Sequence, residues 1–246
     1  MIRRIFYCSA KTMKREDYEI QTTEDGSTTI WLKDMDEHYH SVKGALTEAN
    51  HIYRDAAFKH RHKGEMLRLL EIGFGTGLNT VVTAMEAYEG RPVHYISLEK
   101  YPLDSEVLTE MHYDAVISAE LWQSIHQAEW NKAVQITPYF TLEKRCADFL
   151  TDELPHGIDV VYFDAFAPEK QPEMWGRQTF ERLYEVMNPG AILTTYCAKG
   201  TIRRLLQDVG FIVERIPGPP GGKREVLRAT KKEEETSVRS LPPLCD

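Results

Sequence analysis

The feature that constrains this chain most is an apolar segment that runs directly into three closely spaced glycines. Residues 67–72 are mostly apolar, which predicts a buried β-strand. Gly73, Gly75 and Gly77 follow at once, and residues 78–88 carry apolar side chains at helical spacing. A strand, a glycine turn and a helix in this order present backbone N–H groups and the positive end of a helix to a ligand. Because glycine has no Cβ, the main chain can approach that ligand closely.

The spacing of the glycines indicates which ligand the turn holds. A dinucleotide fingerprint has the form G-x-G-x-x-G or G-x-G-x-x-A, but this chain has Leu78 where the third small residue would stand. The pattern that remains, from Glu71 through Gly77, is similar to the first motif of the Rossmann-like S-adenosyl-L-methionine methyltransferases. Residues 94–98 predict the next strand, and Glu99 stands at its end, where a carboxylate can accept two hydrogen bonds from ribose hydroxyls. The alternative is a glycine-rich turn beside an incidental surface glutamate.

Strand and helix patterns continue to alternate after the glycine turn and predict an α/β fold. Predicted helices cover 103–112, 117–130, 173–187 and 199–209, and predicted strands cover 139–143, 158–163, 191–196, 210–214 and 223–229. The last two strands are joined by a loop without a helix, which is typical of an antiparallel pair. We therefore expect a Rossmann-like class I methyltransferase domain, with a mostly parallel sheet and an antiparallel last strand.

The N-terminal region has a different pattern. Two alternating, β-rich runs at 18–22 and 28–32 flank Asp25 and Gly26, which is a hairpin signal. Residues 45–58 predict a helix. We divide the chain into an N-terminal extension with a hairpin and a helix packed on the core (1–62), a methyltransferase domain (63–230), and a charged, proline-bearing tail that we expect to be disordered (231–246).

Composition excludes several classes of protein. No apolar run in the 246 residues approaches the roughly 20 that a membrane span needs, and the apolar part of the N-terminus is too short for a signal peptide. We therefore expect a cytoplasmic protein without a membrane partner. No Cys/His cluster has zinc spacing, so we expect no metal. The net charge of −8 argues against general nucleic-acid binding, yet basic stretches at 1–15, 51–68 and 199–232 are compatible with a structured RNA held at one place. Ordinary surface charge is the alternative.

Two acidic residues stand at the ends of predicted strands. Asp148 follows the third strand, where this fold class commonly meets the adenine amino group; a helix N-cap is the alternative use. Asp164 ends the almost purely apolar strand 158–163, and ligands of parallel sheets bind at that end. The sequence D-A-F-A-P from Asp164 is similar in kind to the Asp or Asn motif, with prolines and an aromatic residue, of enzymes that methylate amines of DNA and RNA.

Four stretches together resemble one known family. The segments 71–79, 159–175, 194–200 and 217–229 are similar to the methyltransferase half of the bifunctional MnmC enzymes and to their stand-alone form MnmD. That family installs the last methyl group of 5-methylaminomethyl-2-thiouridine at the wobble position of tRNA. The resemblance reaches to about residue 229, and its string D-A-F-A-P-x-K-x-P-x-M-W is highly specific. It implies S-adenosyl-L-methionine as cofactor and the tRNA anticodon loop as partner. The FAD-dependent half of MnmC would begin where this chain ends, so we expect no FAD; no required protein partner is evident.

The resemblance also implies roles for individual residues. Asp164 falls on the active-site aspartate, which would orient the amine and stabilise the cation forming on nitrogen. Expected cofactor-binding residues are Glu71, Gly73, Gly75, Gly77, Asn79 and Glu99, with Asp148 added from the fold class. Expected substrate-binding residues are Tyr39, Phe166, Lys170, Trp175, Tyr196, Lys199, Lys223 and Arg224. Phe166 or Tyr196 could stack on the wobble base, although core packing is an alternative use of each.

Other functions of the same fold stay open. The acceptor could be a small-molecule amine, or the enzyme could be an aminopropyl transferase similar to spermidine synthase, a use that the acidic composition suits. A binding module without catalysis is a third possibility. Against that third possibility stands Asp164 beside the cofactor crevice, because a binding module does not need a carboxylate at that point.

Overall fold

Residues 14–61, 66–111, 113 and 117–233 are described by the computed structural model. The chain begins with a small antiparallel sheet of three strands, β1 (Tyr18–Thr22), β2 (Thr28–Leu32) and β3 (Glu37–His38). The first two strands form the predicted hairpin, which is confirmed. The two-residue strand β3 is too short to leave a pattern in the sequence. Helix α1 (Ala45–Glu48) follows and passes directly into a π-helix (Ala49–Phe58), so the predicted helix 45–58 is confirmed with a wider second part.

Strands and helices then alternate through the rest of the described chain. The elements are β4 (Leu67–Ile72), α2 (Leu78–Ala84), β5 (Val93–Glu99), α3 (Ser105–Thr109), α4 (Ala119–Gln127), β6 (Lys132–Thr137), β7 (Phe140–Cys146), β8 (Ile158–Phe163), a 3-10 turn (Pro172–Trp175), α5 (Arg177–Val186), β9 (Met187–Thr195), α6 (Gly200–Val209), β10 (Ile212–Pro217) and β11 (Glu225–Thr230). The order of strands and helices agrees with the sequence, and several helices are shorter than predicted.

The eight strands β4 to β11 form one sheet in the order β10-β11-β9-β8-β4-β5-β7-β6. The five central strands are parallel, and β11 lies antiparallel between β9 and β10. The mostly parallel α/β sheet with an antiparallel last strand is therefore confirmed. The edge strand β6, which pairs antiparallel with β7, was not predicted, although its Val134 and Ile136 alternate with polar residues and pack against the core. The sequence Asn188-Pro189-Gly190 is typical of a turn, but these residues continue β9.

Side chains on both faces of the sheet are buried, and successive residues of β4 alternate between two apolar clusters. Leu69 packs with residues of the π-helix and of α2, such as Ile52 and Val81. Leu70 packs on the other face with residues of α5 and α6, such as Leu183 and Leu206. Helices thus cover both faces, which explains why the central strands are apolar throughout.

The N-terminal elements share this core. Ile30 and Tyr53 belong to the same apolar cluster as Leu69 of the central sheet. The predicted boundary between residues 62 and 63 lies outside the described residues, as does 234–246 of the predicted tail. Lys231, at the start of that tail, is held on the sheet: its backbone pairs with Gly190 and Ala191. In the part of the chain that the structure describes, no helix has both the length and the apolar character needed to cross a membrane.

Candidate active site

A cavity of about 700 Å³ opens at the carboxyl ends of the parallel strands β4, β5 and β8. This is the edge at which open parallel sheets bind ligands. The small N-terminal sheet and the loop after it cover part of the cavity. Nine of the predicted site residues line it: Tyr39, Gly73, Gly75, Glu99, Asp148, Asp164, Phe166, Tyr196 and Lys223.

The glycine turn forms one wall, and its backbone leaves no room for side chains. Gly73 and Gly75 have φ angles of +92° and +52°, in the region that favours glycine. A Cβ on Gly73 would lie 2.9 Å from the backbone oxygen of Asp164, and a Cβ on Gly75 would lie 3.1 Å from Cδ1 of Tyr39. The main chain of the turn is therefore held directly against the cavity.

Glu99 is tied to this turn. Its Oε2 accepts a hydrogen bond of 3.1 Å from the backbone N–H of Gly75, and its Oε1 accepts one of 2.8 Å from that of Tyr101. Burial raises the pKa of the Glu99 carboxyl. The backbone N–H groups of Lys100 and Phe74 also interact with this carboxylate, which is therefore held firmly in the cavity wall as an acceptor.

Asp148 also lines the cavity. Its Oδ2 forms an ion pair of 2.9 Å with Nζ of Lys100, and its Oδ1 accepts the backbone N–H of Leu150 at 3.0 Å. Partial burial raises the pKa of Asp148, but these hydrogen bonds more than offset it and lower the pKa below its ordinary value. The alternative prediction for Asp148 was a helix N-cap. Its carboxylate does accept a backbone N–H from two residues further on, but the hydrogen bonds close a turn and not the start of a helix.

These residues fit a nucleoside-bearing cofactor. The cavity volume lies within the roughly 300–1,000 Å³ of small-molecule and cofactor sites. The Gly73–Gly75 turn provides close backbone approach, and the carboxylates of Glu99 and Asp148 provide acceptors on the same wall. No group of three or more His, Cys, Asp or Glu side chains that could hold a metal ion occurs among the described residues.

Asp164 ends the central strand β8 and has both carboxylate oxygens engaged. The hydroxyl of Tyr53 donates to Oδ1 at 2.5 Å, and the side-chain amide of Asn79 donates to Oδ2 at 2.8 Å. Burial raises the pKa of Asp164 to about 7, and the negative charge of Glu48 adds to this rise. The carboxylate is thus fixed in orientation and changes its protonation state near neutral pH.

Three residues of this arrangement differ from the sequence-based prediction. Asn79, expected at the cofactor, points to Asp164 instead. Tyr53 and Glu48 were not predicted at all: Tyr53 contacts Asp164, and Glu48 lines the cavity. Both lie on the helix 45–58, but its sequence gives no signal that these two positions would face the end of β8. The sequence hint for Glu48 is that it shares a helix face with the apolar residues Ala45 and Ile52, where an acidic side chain is unusual.

Aromatic side chains form another part of the cavity wall. The rings of Tyr39 and Phe166 meet edge to face, with centroids 5.2 Å apart. The hydroxyl of Tyr196 donates to the backbone oxygen of Ala165 at 2.8 Å, which fixes its ring beside Asp164. Lys223, from the loop between β10 and β11, reaches the same wall and bonds to Glu48 at 3.0 Å.

The other predicted residues lie outside the cavity lining. Glu71 is buried in the sheet, where Ser97 and Thr80 donate to its Oε2, and burial raises its pKa to about 8. Gly77 is packed under Phe74. Neither residue is part of the cavity lining.

The remaining predicted substrate-binding residues are buried or lie at the surface. Trp175 is 5% exposed; it packs on Phe163 and donates from Nε1 to the backbone oxygen of Phe166 at 2.8 Å, so it supports the cavity from behind. Three predicted substrate contacts are exposed surface cations: Lys170, Lys199 and Arg224. Lys199 forms an ion pair with Glu169.

Sequence comparisons agree with the fold and the cavity. Residues 112–232 match the family model described as "S-adenosyl-L-methionine-dependent methyltransferase". The chain is 33% identical over 225 residues to the tRNA 5-methylaminomethyl-2-thiouridine biosynthesis bifunctional protein MnmC of Cupriavidus necator, covering 85% of this chain and 34% of the relative. The chain spans about a third of the length of the curated relatives it matches.

Comparisons of structure give the same result. MNMC2 from Aquifex aeolicus aligns with a TM-score of 0.67 and 25% identity, over 93% of this chain and 73% of that one. Spermidine synthase from Thermotoga maritima aligns with a TM-score of 0.57 over 87% of this chain and 69% of that one, but at 13% identity it shares the fold alone. By sequence and by fold, the chain belongs to the S-adenosyl-L-methionine-dependent methyltransferases, together with the methyltransferase part of MnmC.

Proposed function

We propose that this protein methylates the primary amine of 5-aminomethyl-2-thiouridine at the wobble position of tRNA and so produces 5-methylaminomethyl-2-thiouridine. The relatives' name supports this substrate, because MnmC proteins are described as biosynthetic for that nucleoside. The observation that carries the proposal is Asp164, a carboxylate fixed at both oxygens in the wall of the cavity.

The charge of the cavity supports an amine acceptor. Among the described residues, eight acidic side chains line the cavity: Asp17, Asp34, Glu37, Glu48, Glu99, Asp148, Asp164 and Glu173. Two lysines, Lys100 and Lys223, also line it. A cleft with this excess of carboxylates attracts cations and disfavours anions. A sulfonium cofactor and an aminomethyl group both carry positive charge in solution, so both suit this site.

The cofactor site follows from the same wall. We infer that S-adenosyl-L-methionine lies against the glycine turn, with Glu99 accepting from its ribose and Asp148 near its base. When bound, this cofactor supplies an electrophilic methyl group. We expect Gly73 and Gly75 to allow its close approach, and Glu71, Gly77 and Asn79 to act by holding the turn and Asp164 in place.

Asp164 would carry out the chemical task on the acceptor. A primary alkylammonium is largely protonated near neutral pH, so its nitrogen must lose a proton before it can attack. A carboxylate with a pKa of about 7 accepts hydrogen bonds from that nitrogen, aims its lone pair and stabilises the positive charge that develops on it. Tyr53 and Asn79 keep the carboxylate in one orientation, which supports catalysis by positioning.

Recognition of the anticodon loop would use the mouth of the cavity. Single-stranded bases are commonly held by stacking on aromatic rings, and Phe166 and Tyr196 lie in the wall. The exposed cations Lys170, Lys199 and Arg224 are candidates for phosphate contacts. We expect the reaction to take place in the cytoplasm and to need no FAD, metal or protein partner.

The test is methyl transfer by the purified protein. It is incubated with labelled S-adenosyl-L-methionine and with tRNA that carries 5-aminomethyl-2-thiouridine at the wobble position, and the nucleosides are then separated. The proposal predicts label in 5-methylaminomethyl-2-thiouridine, and none in a transcript with an unmodified wobble uridine. Putrescine is offered as the acceptor in a parallel reaction. Methylation of putrescine with no label in tRNA would show that the acceptor is a small amine and not tRNA.

A further inference from the structure

The structure assigns a primary-ammonium subsite to the cavity, formed by the carboxylate of Glu48 and the ring of Tyr196 beside Asp164. In the free protein the ammonium of Lys223 fills this subsite. We propose that the acceptor amine binds there by displacing Lys223. The identification of the acceptor rests on the proposed function, whereas the subsite itself requires only a primary ammonium ligand.

The contacts of Lys223 define the subsite. Its Nζ donates to Oε1 of Glu48 at 3.0 Å and lies 4.7 Å above the ring centroid of Tyr196. A carboxylate and the face of an aromatic ring are the two groups that recognise an alkylammonium most directly. All three side chains line the cavity that also contains Asp164. A cation held at this point is therefore next to the carboxylate proposed to act on the amine.

The walls of the subsite are fixed by other contacts. The second oxygen of Glu48, Oε2, accepts the backbone N–H of Ser41 at 2.8 Å. The ring of Tyr196 is held by its hydrogen bond to Ala165 and by the ring of Trp175. Because these partners belong to the protein framework, the carboxylate and the ring keep their positions when the cation changes.

Lys223 is the exchangeable member. Its side chain is 41% exposed, whereas that of Glu48 is 9% exposed. It stands in the loop between β10 and β11, beside Gly221 and Gly222. Its flexible stem can carry the ammonium into water at little cost. A buried carboxylate without a cation is costly. Departure of Lys223 thus favours entry of another cation.

The experiment measures binding of a simple amine. Benzylammonium is titrated into the protein saturated with S-adenosylhomocysteine, and benzyl alcohol serves as the uncharged probe of the same shape. Lys223→Met should bind benzylammonium about tenfold more tightly than the parent, and Glu48→Gln about tenfold more weakly. Benzyl alcohol should respond to neither change. Lys132→Met is the matched control, because Lys132 pairs with Glu129 and does not line the cavity.

A second pair of variants separates the subsite from folding defects. Tyr196→Phe keeps the ring and should keep the affinity for benzylammonium, whereas Tyr196→Leu should lower it severalfold. Thermal melts identify any variant that fails to fold. Equal affinity of Lys223→Met and the parent, or of the Phe and Leu variants, would overturn the subsite. If benzylammonium behaves as expected but tRNA is not methylated, the subsite stands and the proposed function falls. Methylated tRNA with an unresponsive benzylammonium would give the opposite result.

Discussion

The Asp164 carboxylate is held by hydrogen bonds at both oxygens and has a pKa near neutrality. Tyr53 and Asn79 each donate to one of its oxygens, and burial beside Glu48 keeps its pKa near neutrality. These contacts explain how one carboxylate can be both rigid and titratable. The hydrogen bond from Tyr53 favours the ionised form, so its removal has a predictable direction.

Removing the Tyr53 hydroxyl should move the pH dependence of methyl transfer. The ionised form of Asp164 increases as the pH rises through about 7, so the rate should rise over this range. Because the Tyr53 hydrogen bond lowers the pKa of Asp164, Tyr53→Phe should shift the midpoint to higher pH and lower the rate at pH 7 about tenfold. Single-turnover rates across pH 5.5–9 measure this. An unshifted midpoint in the variant would contradict the role of Tyr53.

Glu71 gives a residue-scale prediction about stability. Burial raises its pKa from 4.5 to about 8 in the folded protein, so the folded state holds a proton that the unfolded state releases between those values. Its contribution to stability is therefore present at pH 4.5 and is lost as the pH rises through 8.

Glu71→Gln should remove this loss. Its Tm relative to the parent should increase with pH, with a gain on the order of 10 °C at pH 9 over the difference at pH 5. Thermal melts at both pH values measure it, with the exposed Glu129→Gln as control. A Tm difference that is constant or falls with pH would show that Glu71 is not protonated in the folded protein.

At the scale of elements, local segments were predictable and long-range contacts were not. The β4–glycine–α2 unit and the β1–β2 hairpin follow from periodicity and turn residues within segments of 18 and 15 residues. Asp164 was predictable because the end of an apolar strand is a defined place in a parallel sheet. Tyr53 was not, since its partner lies 111 residues away in the sequence. The contact of Lys223 with Glu48 spans 175 residues and was equally hidden.

Trp175 is a residue whose position in the structure was predicted less well by the family motif. It stands within the family's most specific string, which favoured a contact with the substrate. The structure instead buries its ring against Phe163 and Phe180. A motif identifies residues that a site needs, but it does not separate those that touch a ligand from those that support the wall.

The glycine turn can be tested as an element. Alanine at Gly75 must adopt a φ of +52° and places its Cβ 3.1 Å from Tyr39. The backbone strain of about 1–3 kcal/mol and the space that the added methyl group occupies should weaken S-adenosyl-L-methionine binding by about tenfold or more. Gly176→Ala is the matched control, because Gly176 has an ordinary φ of −81° and no atom within 4 Å of the added Cβ. Calorimetric titration with the cofactor compares the two; equal affinities would contradict close approach of the turn.

At the scale of the whole molecule, the proposed function requires an acidic protein to bind a polyanion. The net charge is −8, and eight acidic side chains but only two lysines line the cavity. The two properties are compatible if phosphates contact only exposed cations around the mouth while the cavity receives the amine. Affinity for tRNA should then be modest and dependent on salt.

The salt dependence of tRNA binding tests this division of charge. The logarithm of the association constant should fall linearly with the logarithm of salt concentration, and Arg224→Ala should reduce the slope by about one. Filter binding from 50 to 300 mM salt measures both slopes. A flat profile in the parent protein would contradict the use of surface cations in RNA binding.

The most direct test of the proposed role of Asp164 compares the parent protein with Asp164→Asn in one assay. Methyl transfer to tRNA that carries 5-aminomethyl-2-thiouridine is measured together with the affinity of each protein for S-adenosyl-L-methionine. The proposed function predicts 5-methylaminomethyl-2-thiouridine from the parent, a rate lower by about 100-fold or more from the variant, and cofactor affinity unchanged within about twofold. Equal rates from the two proteins, or no methylated tRNA from a parent protein that binds cofactor, would contradict it.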